Sequence, residues 1–303
     1  MLTGLLLIVL SAAAGALSHV CGKKALETTM PTPVFLVVRA ATGVVGAGLV
    51  LAVHCLRHGP PVLSPSGWGL AILVGLSHPV LSNACYFSGL KRGDLSVMAP
   101  MNYTAPLFTA LLGFLFLHET QSAGSLAGLV LILAGAVAVP LTCIGASPVR
   151  SRPGTTIGSA LLGVASAVAM ALYYILGKQA LRAIEPLVVV MVLNVIGFAA
   201  FVLAAGVGYA RERGDRRHWV PSWRAVLHTM ASGMLAYVVC CALGLIAMAY
   251  VTASVASALV SIAVVFSMVF SIAFLGEQPS AKRWLGAMLV MAGCILTALV
   301  QRG

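Results

Sequence analysis

The sequence is poor in charged side chains, and this scarcity excludes several classes of protein. Of its 303 residues, 18 are Lys or Arg and 7 are Asp or Glu, so only 8% of the chain is charged. Soluble domains carry roughly 25% charged residues. Hydrophobic residues make up 60% of the chain, and the mean hydropathy is +1.05. This composition excludes a cytosolic enzyme, a disordered tail and a nucleic-acid-binding protein.

The sequence also lacks the patterns that mark catalytic and metal-binding sites. Its seven cysteines are odd in number and form no CxxC pair, which argues against a disulfide framework and against a zinc site. HExxH, GxSxG and P-loop motifs are absent from the sequence. We therefore expect no cofactor, no bound metal and no catalytic residues, and an enzyme acting inside a membrane is kept only as an alternative.

Long hydrophobic runs dominate what is present. The hydrocarbon core of a bilayer requires about 20 mostly apolar residues per helix. Ten stretches of the sequence meet this requirement: 2–20, 34–53, 67–90, 95–117, 124–143, 157–181, 187–209, 223–248, 252–275 and 284–300. Membrane strands would instead show alternating segments of about 10 residues, and none is present. The sequence predicts an all-α membrane protein with ten transmembrane helices, here called spans 1 to 10.

An internal repeat relates the two halves of the chain. The motif Gly22–Leu26 reappears 155 residues later as Gly177–Leu181. In the later spans the offset is 158 residues, and it pairs Ser96-Val97 with Ser254-Val255. Glutamates and glycines follow the same offset, namely Glu119 with Glu277, Gly128 with Gly286 and Gly135 with Gly293. The sequence therefore predicts two five-helix repeats, 1–143 and 157–303, joined by a linker over 144–156.

The odd number of spans in each repeat determines how the repeats are related. A second copy that starts after five crossings enters the membrane from the opposite side. The two halves are then inverted, with a pseudo-two-fold axis in the membrane plane. Inverted repeats are typical of secondary transporters, which bind substrate near the midplane between the halves. A non-transporting membrane subunit, such as a receptor or scaffold, is the alternative.

Several motifs resemble those of the drug/metabolite transporter superfamily, in its EamA-like branch. They are Gly22-Lys23-Lys24, Leu36–Arg39, Leu90–Pro100, Ala253–Ser257 and Gly276-Glu277. The resemblance covers nearly the whole chain. It implies a multi-pass carrier of the cell (plasma or inner) membrane, which moves an amino acid, metabolite or drug by alternating access, with export favoured. The chain departs from the repeat pattern at Asn194, in the place of Arg39, and at Val264, in the place of Pro106.

Arg39 is the one charged residue well inside a predicted span. An arginine costs roughly 2.5–3.5 kcal/mol at the centre of a membrane helix, so such residues usually face a cavity or a partner. Arg39 lies about 8 Å from the start of span 2, at 1.5 Å per residue, and snorkelling to the interface is the alternative. Facing a cavity, it would suit a carboxylate or phosphate of the substrate.

Span 4 contains two prolines, Pro100 and Pro106, each of which removes a helical hydrogen bond. Broken helices in transporters expose backbone groups where they line a cavity. We therefore take Asn102 and Tyr103, which lie between the prolines, as candidate substrate contacts. A kinked packing helix is the alternative.

Further polar residues inside the spans complete the candidate substrate-binding set. His78 would be able to carry a proton and couple transport to a proton gradient, although a packing role is the alternative. No Asp or Glu lies inside a predicted span, which argues against a carboxylate-driven antiport. A proton and a counter-substrate both remain open as coupling partners. The other candidates are Asn83, Tyr86, Tyr173, Tyr174, Asn194 and Tyr237.

Gly124 and Gly128 have GxxxG spacing, which permits close contact between helices. The glycines would serve packing within the chain or a dimer face, so we expect a monomer or a weak homodimer.

The distribution of basic residues gives an expectation for orientation. Connectors on the side of the termini hold four basic residues, and those on the opposite side hold thirteen. The positive-inside rule then places both termini outside the cytoplasm. The family resemblance implies the reverse.

Overall fold

A computed structural model describes residues 2–28, 30–61, 65–117, 122–141, 153–211, 220–248, 250, 253–260, 262–278 and 280–300. The regular elements in these ranges are all helices, as the sequence predicts. They are α1 Leu2–Leu26, α2 Thr32–His58, α3 Pro65–Gly75, α4 Asn83–Arg92, α5 Leu95–Asn102, α6 Ala105–Leu117, α7 Ala123–Leu141, α8 Pro153–Ala180, α9 Pro186–Arg211, α10 Trp223–Gly233, α11 Cys241–Met248, α12 Ala253–Val260, α13 Ala263–Leu275 and α14 Ala281–Val300. Two π-helical segments, Leu76–Ser82 and Met234–Cys240, join α3 to α4 and α10 to α11.

Seven helical stretches in the described residues are long and apolar enough to cross a membrane. They are Leu6–Leu26, Thr32–His58, Gly67–Arg92, Val97–Leu117, Ile157–Ala180, Pro186–Arg211 and Trp223–Met248. Two shorter apolar stretches, Ala123–Gly135 and Ala263–Leu275, lie in the regions of predicted spans 5 and 9. The chain is thus a helical, multi-pass membrane protein.

The two π-helical segments occupy equivalent positions of the repeat, 158 residues apart. In the first, Pro79 has no backbone N–H to donate, so the regular i to i−4 ladder cannot continue through it. The second contains no proline. A serine side chain binds the carbonyl that ends each segment: Ser166 Oγ donates to Ser82 O at 3.0 Å, and Ser11 Oγ donates to Cys240 O at 3.0 Å. Side chains inserted beside a helix in this way are a recognised cause of local departure from α geometry.

Spans 4 and 9 are each divided into two helices. The division of span 4 falls at Tyr103 and Thr104, between the two prolines, as their spacing predicts. The division of span 9 separates α12 from α13 near Ile262 without any proline, so the sequence did not predict it. The two pairs of helices face each other, since α12 packs on α6 and α13 packs on α5.

Packing between helices joins the two halves of the chain throughout. The most extensive contacts are between α7 and α14 and between α2 and α9. Helix α1 packs against α10, the second π segment and α11, and α8 packs in the corresponding way against α3, the first π segment and α4. The polar surfaces of these helices meet in the middle of the bundle.

Helices α7 and α14 approach closely at their glycines. A Cβ atom on Gly128 would lie 2.6 Å from the carbonyl oxygen of Gly293, and one on Gly135 would lie 2.5 Å from that of Gly286. A Cβ atom on Gly124 would meet the side chain of Val300. The GxxxG face is therefore used for packing within the chain, which is one of the two roles expected for it.

Candidate functional site

A cavity lies in the centre of the bundle, bounded by helices from both halves. Its walls come from α1, α2, α4, α5, α8, α11, α12 and both π-helical segments. Most lining residues lie near the middle of their spans, as a site at the membrane midplane requires.

Arg39 lines this cavity and is only 2% exposed. Its guanidinium donates from Nε to Ser232 Oγ at 3.1 Å, from Nη1 to Tyr237 Oη at 3.0 Å and from Nη2 to Ser18 Oγ at 3.2 Å. The guanidinium carbon also lies 4.5 Å from the centres of the Phe87 and Tyr237 rings, within the range of cation–π attraction. The side chain therefore points into the bundle and does not snorkel to the interface.

The two serines that hold Arg39 also connect α1 to α10. Ser18 Oγ donates to Ser232 O at 2.9 Å, and Ser232 Oγ donates to Ser18 O at 2.9 Å. Each hydroxyl thus gives its proton to a carbonyl and keeps its lone pairs for the arginine. Apart from Arg39 the network is made of neutral groups, and its hydrogen bonds orient the guanidinium.

Tyr237 and Asn83 extend the hydrogen-bond network of Arg39. Asn83 Nδ2 donates to Tyr237 Oη at 2.8 Å, so the phenolic oxygen accepts from both Asn83 and Arg39. Asn83 lies at the start of α4 and lines the cavity. Tyr237 lies in the second π segment, is fully buried and is not part of the wall. Tyr237 is therefore joined to the cavity wall by its hydrogen bonds with Arg39 and Asn83.

Aromatic rings form much of the remaining wall. Tyr86 Oη lies 3.1 Å from His19 Nδ1, and the two rings lie 4.4 Å apart between centroids. The ring of His78 lies 4.8 Å from that of Tyr173, which contacts Tyr174 at 5.2 Å. These rings offer flat apolar faces with polar atoms at their edges, a combination suited to an organic solute.

A serine cluster lines the side of the cavity next to the break in span 4. Ser166 Oγ lies within hydrogen-bonding distance of Asn102 Oδ1, at 2.8 Å, and of Ser82 Oγ, at 2.9 Å. These three residues come from α8, α5 and the first π segment. The cluster joins the second half of the chain to two elements of the first half.

Eight of the ten candidate residues line the cavity: Arg39, His78, Asn83, Tyr86, Asn102, Tyr103, Tyr173 and Tyr174. Asn194 does not. It is fully buried where α9 crosses α2, its Nδ2 donates to Val190 O at 2.8 Å, and its Oδ1 lies against Gly43. The amide thus bonds its own helix and does not face the central cavity.

Sequence reasoning left several lining residues out of the candidate set. Ser11, Ser166, Cys240 and Cys241 line the cavity in the structure, as does His19. Ser11 and Ser166 carried a signal, because they correspond to each other in the repeat. The cysteines carried none, since small residues are common on every face of a membrane helix.

The described residues that line the cavity carry one fixed positive charge, that of Arg39. Among the residues that the structure describes, those lining the cavity include neither Asp nor Glu. Two contacts between side chains that can carry opposite charges, Arg283 with Asp94 and His54 with Glu185, are each 3.4 Å long and lie in partly exposed positions. Within the described ranges, no three His, Cys, Asp or Glu side chains group closely enough to hold a metal ion.

One end of the bundle is tied together by polar contacts around the start of α5. Glu277, between α13 and α14, accepts the backbone N–H of Leu95 at 2.9 Å. Lys23 Nζ donates to Leu90 O at 3.0 Å and to Gly93 O at 2.8 Å. In a similar way, Lys178 Nζ donates to Met248 O at 2.7 Å. Both lysines hold carbonyls at or just beyond a helix C-terminus, where positive charge is favoured.

Comparisons with known proteins agree with this architecture. Residues 2–140 and 157–299 each match the model of the EamA-like transporter family. The uncharacterized transporter YetK of Bacillus subtilis (strain 168) is 23% identical over 185 residues, which are 61% of this chain and 54% of YetK. The chain thus spans about half the length of this curated relative. A solved crystal structure shares the fold, with a TM-score of 0.66 and 20% identity over 100% of this chain and 98% of the other.

Proposed function

Because the chain belongs to the EamA-like transporter family, we propose that it is a secondary transporter that moves a small organic solute across the cell membrane by alternating access, with export as the favoured direction. The main structural support for this proposal is the central cavity. It is lined by polar and aromatic side chains in an otherwise apolar bundle, and both halves of the chain contribute to it. Substrate cavities of secondary transporters have this position and composition.

The proposal includes ten spans arranged as two inverted five-helix repeats, 1–143 and 157–303. Pairs of equivalent hydrogen bonds support this arrangement. In each pair, the residues of one bond correspond in the repeat to the residues of the other. The bond from Lys23 to Leu90 O corresponds to that from Lys178 to Met248 O. The bond from Ser11 to Cys240 O likewise corresponds to that from Ser166 to Ser82 O.

The α7–α14 packing supports the same relation. Exchanging the halves converts the contact of Gly128 with Gly293 into that of Gly286 with Gly135, and both contacts are present. When two equivalent helices pack across a two-fold axis, residue i of one contacts residue j of the other, and residue j of the first contacts residue i of the second. Alternating access in such folds is largely a rocking of one unit against the other around a central site.

The test of function is flux in a reconstituted system. The purified protein is first screened by thermal shift against metabolites, because a bound solute stabilises by mass action. Each solute that stabilises the protein is then loaded into proteoliposomes. A carrier is expected to give saturable flux that is accelerated by unlabelled solute on the opposite side, and the solute is expected to be recovered unchanged.

Two results would contradict the proposal. Chemical conversion of the solute would indicate an intramembrane enzyme. Binding without any flux, in vesicles of either protein orientation, would indicate a non-transporting membrane subunit.

A further inference from the structure

We infer that the central cavity takes an organic monocarboxylate, whose carboxylate binds Arg39 and whose apolar body lies against the aromatic wall, in preference to an amino acid or a cation. This inference rests on the proposed function and narrows its substrate class. It depends on three observations: the unbalanced charge of Arg39, the N–H groups that this residue has to spare, and the absence of acidic groups from the described wall.

The charge of Arg39 is buried without a counter-charge among the described residues. Its hydrogen-bond partners are three hydroxyls, on Ser18, Ser232 and Tyr237. Hydroxyls and ring faces orient a cation but do not neutralise it, and an uncompensated buried charge is costly. A ligand that brings one negative charge into the cavity therefore gains an attraction that is strengthened by the low dielectric of the bundle.

Arg39 also has N–H groups that can donate hydrogen bonds to a ligand. A guanidinium carries five N–H groups, and three of them, one each on Nε, Nη1 and Nη2, bind partners among the described residues. Within the part of the chain that the structure describes, one N–H on each of the two terminal nitrogens has no partner and can donate to a ligand. A carboxylate accepts two such bonds in the planar geometry that the guanidinium presents. The built network thus orients the group and still leaves capacity for binding.

The described wall offers nothing that would neutralise a substrate ammonium group. Its polar groups are hydroxyls, amides, imidazoles and thiols, in addition to Arg39, and none is a carboxylate. A cationic solute would be repelled by Arg39 at close range. The carboxylate of an amino acid would be attracted to Arg39, but its ammonium group would lose its hydration without forming an ion pair. An acid without an amine avoids both costs.

The remaining wall suits an apolar body attached to the acid. Tyr173, Tyr174 and His78 contact one another through their rings, and Met170 lines the same cavity. Aromatic faces and a flexible thioether pack well against a planar or branched hydrocarbon group. A compact inorganic anion would leave these surfaces without a partner.

The experiment uses four probes with the same phenylpropyl skeleton and different charges. They are 3-phenylpropanoate, L-phenylalanine, 3-phenylpropylamine and 3-phenylpropanol, each added to the purified full chain in detergent. At concentrations roughly ten times its dissociation constant, the acid is expected to raise the melting temperature by about 2–4 °C. The other three are expected to give no comparable shift at the same concentration. A larger shift with the amino acid, the amine or the alcohol would overturn the inference, as would no shift with the acid.

Variants of Arg39 test whether the arginine is the binding group. Arg39→Met is expected to abolish the shift caused by the acid, and Arg39→Lys to weaken binding about tenfold, because lysine keeps the charge but loses the planar pair of donors. The matched control is Arg57→Met on the exposed end of α2, which should bind like the unaltered chain. An acid-induced shift that persists in Arg39→Met would overturn the assignment. If the Arg39 variants do not fold, the four-probe series on the unaltered chain remains decisive.

Failure of this inference is distinguishable from failure of the proposed function. Flux of an amino acid or amine with no binding of the acid would leave a transporter of another substrate class. Binding of the acid through Arg39 without flux in proteoliposomes would leave the site in place and remove the transport function.

Discussion

At the scale of single residues, Arg39 shows how a charged side chain, which is unfavourable inside a membrane, is accommodated in a helical bundle. Its guanidinium is held by Ser18 and Ser232, which also donate to each other's backbone carbonyls. Every polar group in this part of the network thus has a partner, as buried polar groups require. The remaining partner, Tyr237, serves Arg39 and Asn83 through one oxygen atom. This oxygen is the point at which the network is most easily tested.

We predict that Tyr237→Phe destabilises the protein by about 1–3 kcal/mol, because two buried donors lose their acceptor. The distances concerned are 3.0 Å from Arg39 Nη1 and 2.8 Å from Asn83 Nδ2. The phenylalanine ring keeps the packing and the face beneath the guanidinium, so the change isolates the hydroxyl. Thermal unfolding in detergent measures the effect. The control is Tyr250→Phe, at a residue that is 62% exposed, and equal stability of the two variants would contradict the network.

At the scale of elements, the glycines of α7 and α14 explain how two apolar helices reach their extensive contact. Without a hydrophobic driving force between helices in lipid, association depends on close packing, which small residues permit. The backbone of α7 touches that of α14 at Gly128 and Gly135, opposite Gly293 and Gly286. Side chains at these positions would meet backbone atoms, which cannot rotate away.

We predict that Gly128→Ala costs about 1–3 kcal/mol, the usual penalty of overpacking. The added methyl would lie 2.6 Å from Gly293 O and 2.8 Å from the backbone nitrogen of Thr297. Gly206→Ala in α9 is the matched control, because no atom lies within 4 Å of a Cβ there, and alanine is the better helix former. Thermal unfolding of the two variants side by side gives the comparison. A Gly128→Ala protein as stable as the control would refute the close packing.

At the scale of the whole molecule, contacts at the start of α5 join the two halves of the chain on one side. Glu277, from the second half, caps the backbone of Leu95 in the first half, and Arg283 pairs with Asp94 next to it. In a carrier that opens alternately to its two sides, contacts of this type close one side. Weakening these contacts favours the conformation that is open on that side. The equilibrium between the two conformations shifts by at most the free energy that the contacts contributed.

We predict that Glu277→Ala makes the cavity more accessible from the side of the α4–α5 connector. Cys240 lines the cavity and serves as the reporter in a chain whose other cysteines are replaced. A membrane-impermeant thiol reagent added on that side is expected to label Cys240 several times faster in the variant, because the N–H of Leu95 loses its charged acceptor. Glu27→Ala, at an exposed position after α1, is the control. Equal labelling rates would show that Glu277 does not contribute to closure.

The orientation of the molecule is a second prediction at this scale. The connectors opposite the termini hold thirteen basic residues against four on the side of the termini, so the positive-inside rule places the termini outside the cytoplasm. A fluorescent protein that matures only in the cytoplasm, fused after Gly303, is then expected to stay dark. A fusion after Arg211, at the end of α9, would be bright in the same orientation. The reverse pattern would show that the family orientation holds despite the charge distribution.

The sequence by itself determined the class of protein, its helical elements and its internal repeat. Each of these follows from local pattern: runs of about 20 apolar residues can cross a bilayer only as helices, and offsets of 155 and 158 residues are visible without any structure. Arg39 was identifiable for the same reason, since a charge inside an apolar run is costly wherever it points. The break in span 4 also followed from a local cause, its two prolines.

Only the tertiary structure decided which polar residues share the cavity. Asn194 and Tyr237 look alike as polar residues inside apolar runs, yet Asn194 packs where α9 crosses α2 and Tyr237 bonds Arg39, 198 positions away. The contacts of Ser166 and Cys240 are likewise made with helices distant in the chain. Ser166 binds Asn102, and the carbonyl of Cys240 in the second π segment accepts from Ser11. The physical reason is that a helix in lipid has no polar face that must point to water. The faces that meet inside the bundle are therefore set by packing between helices that are far apart in the chain.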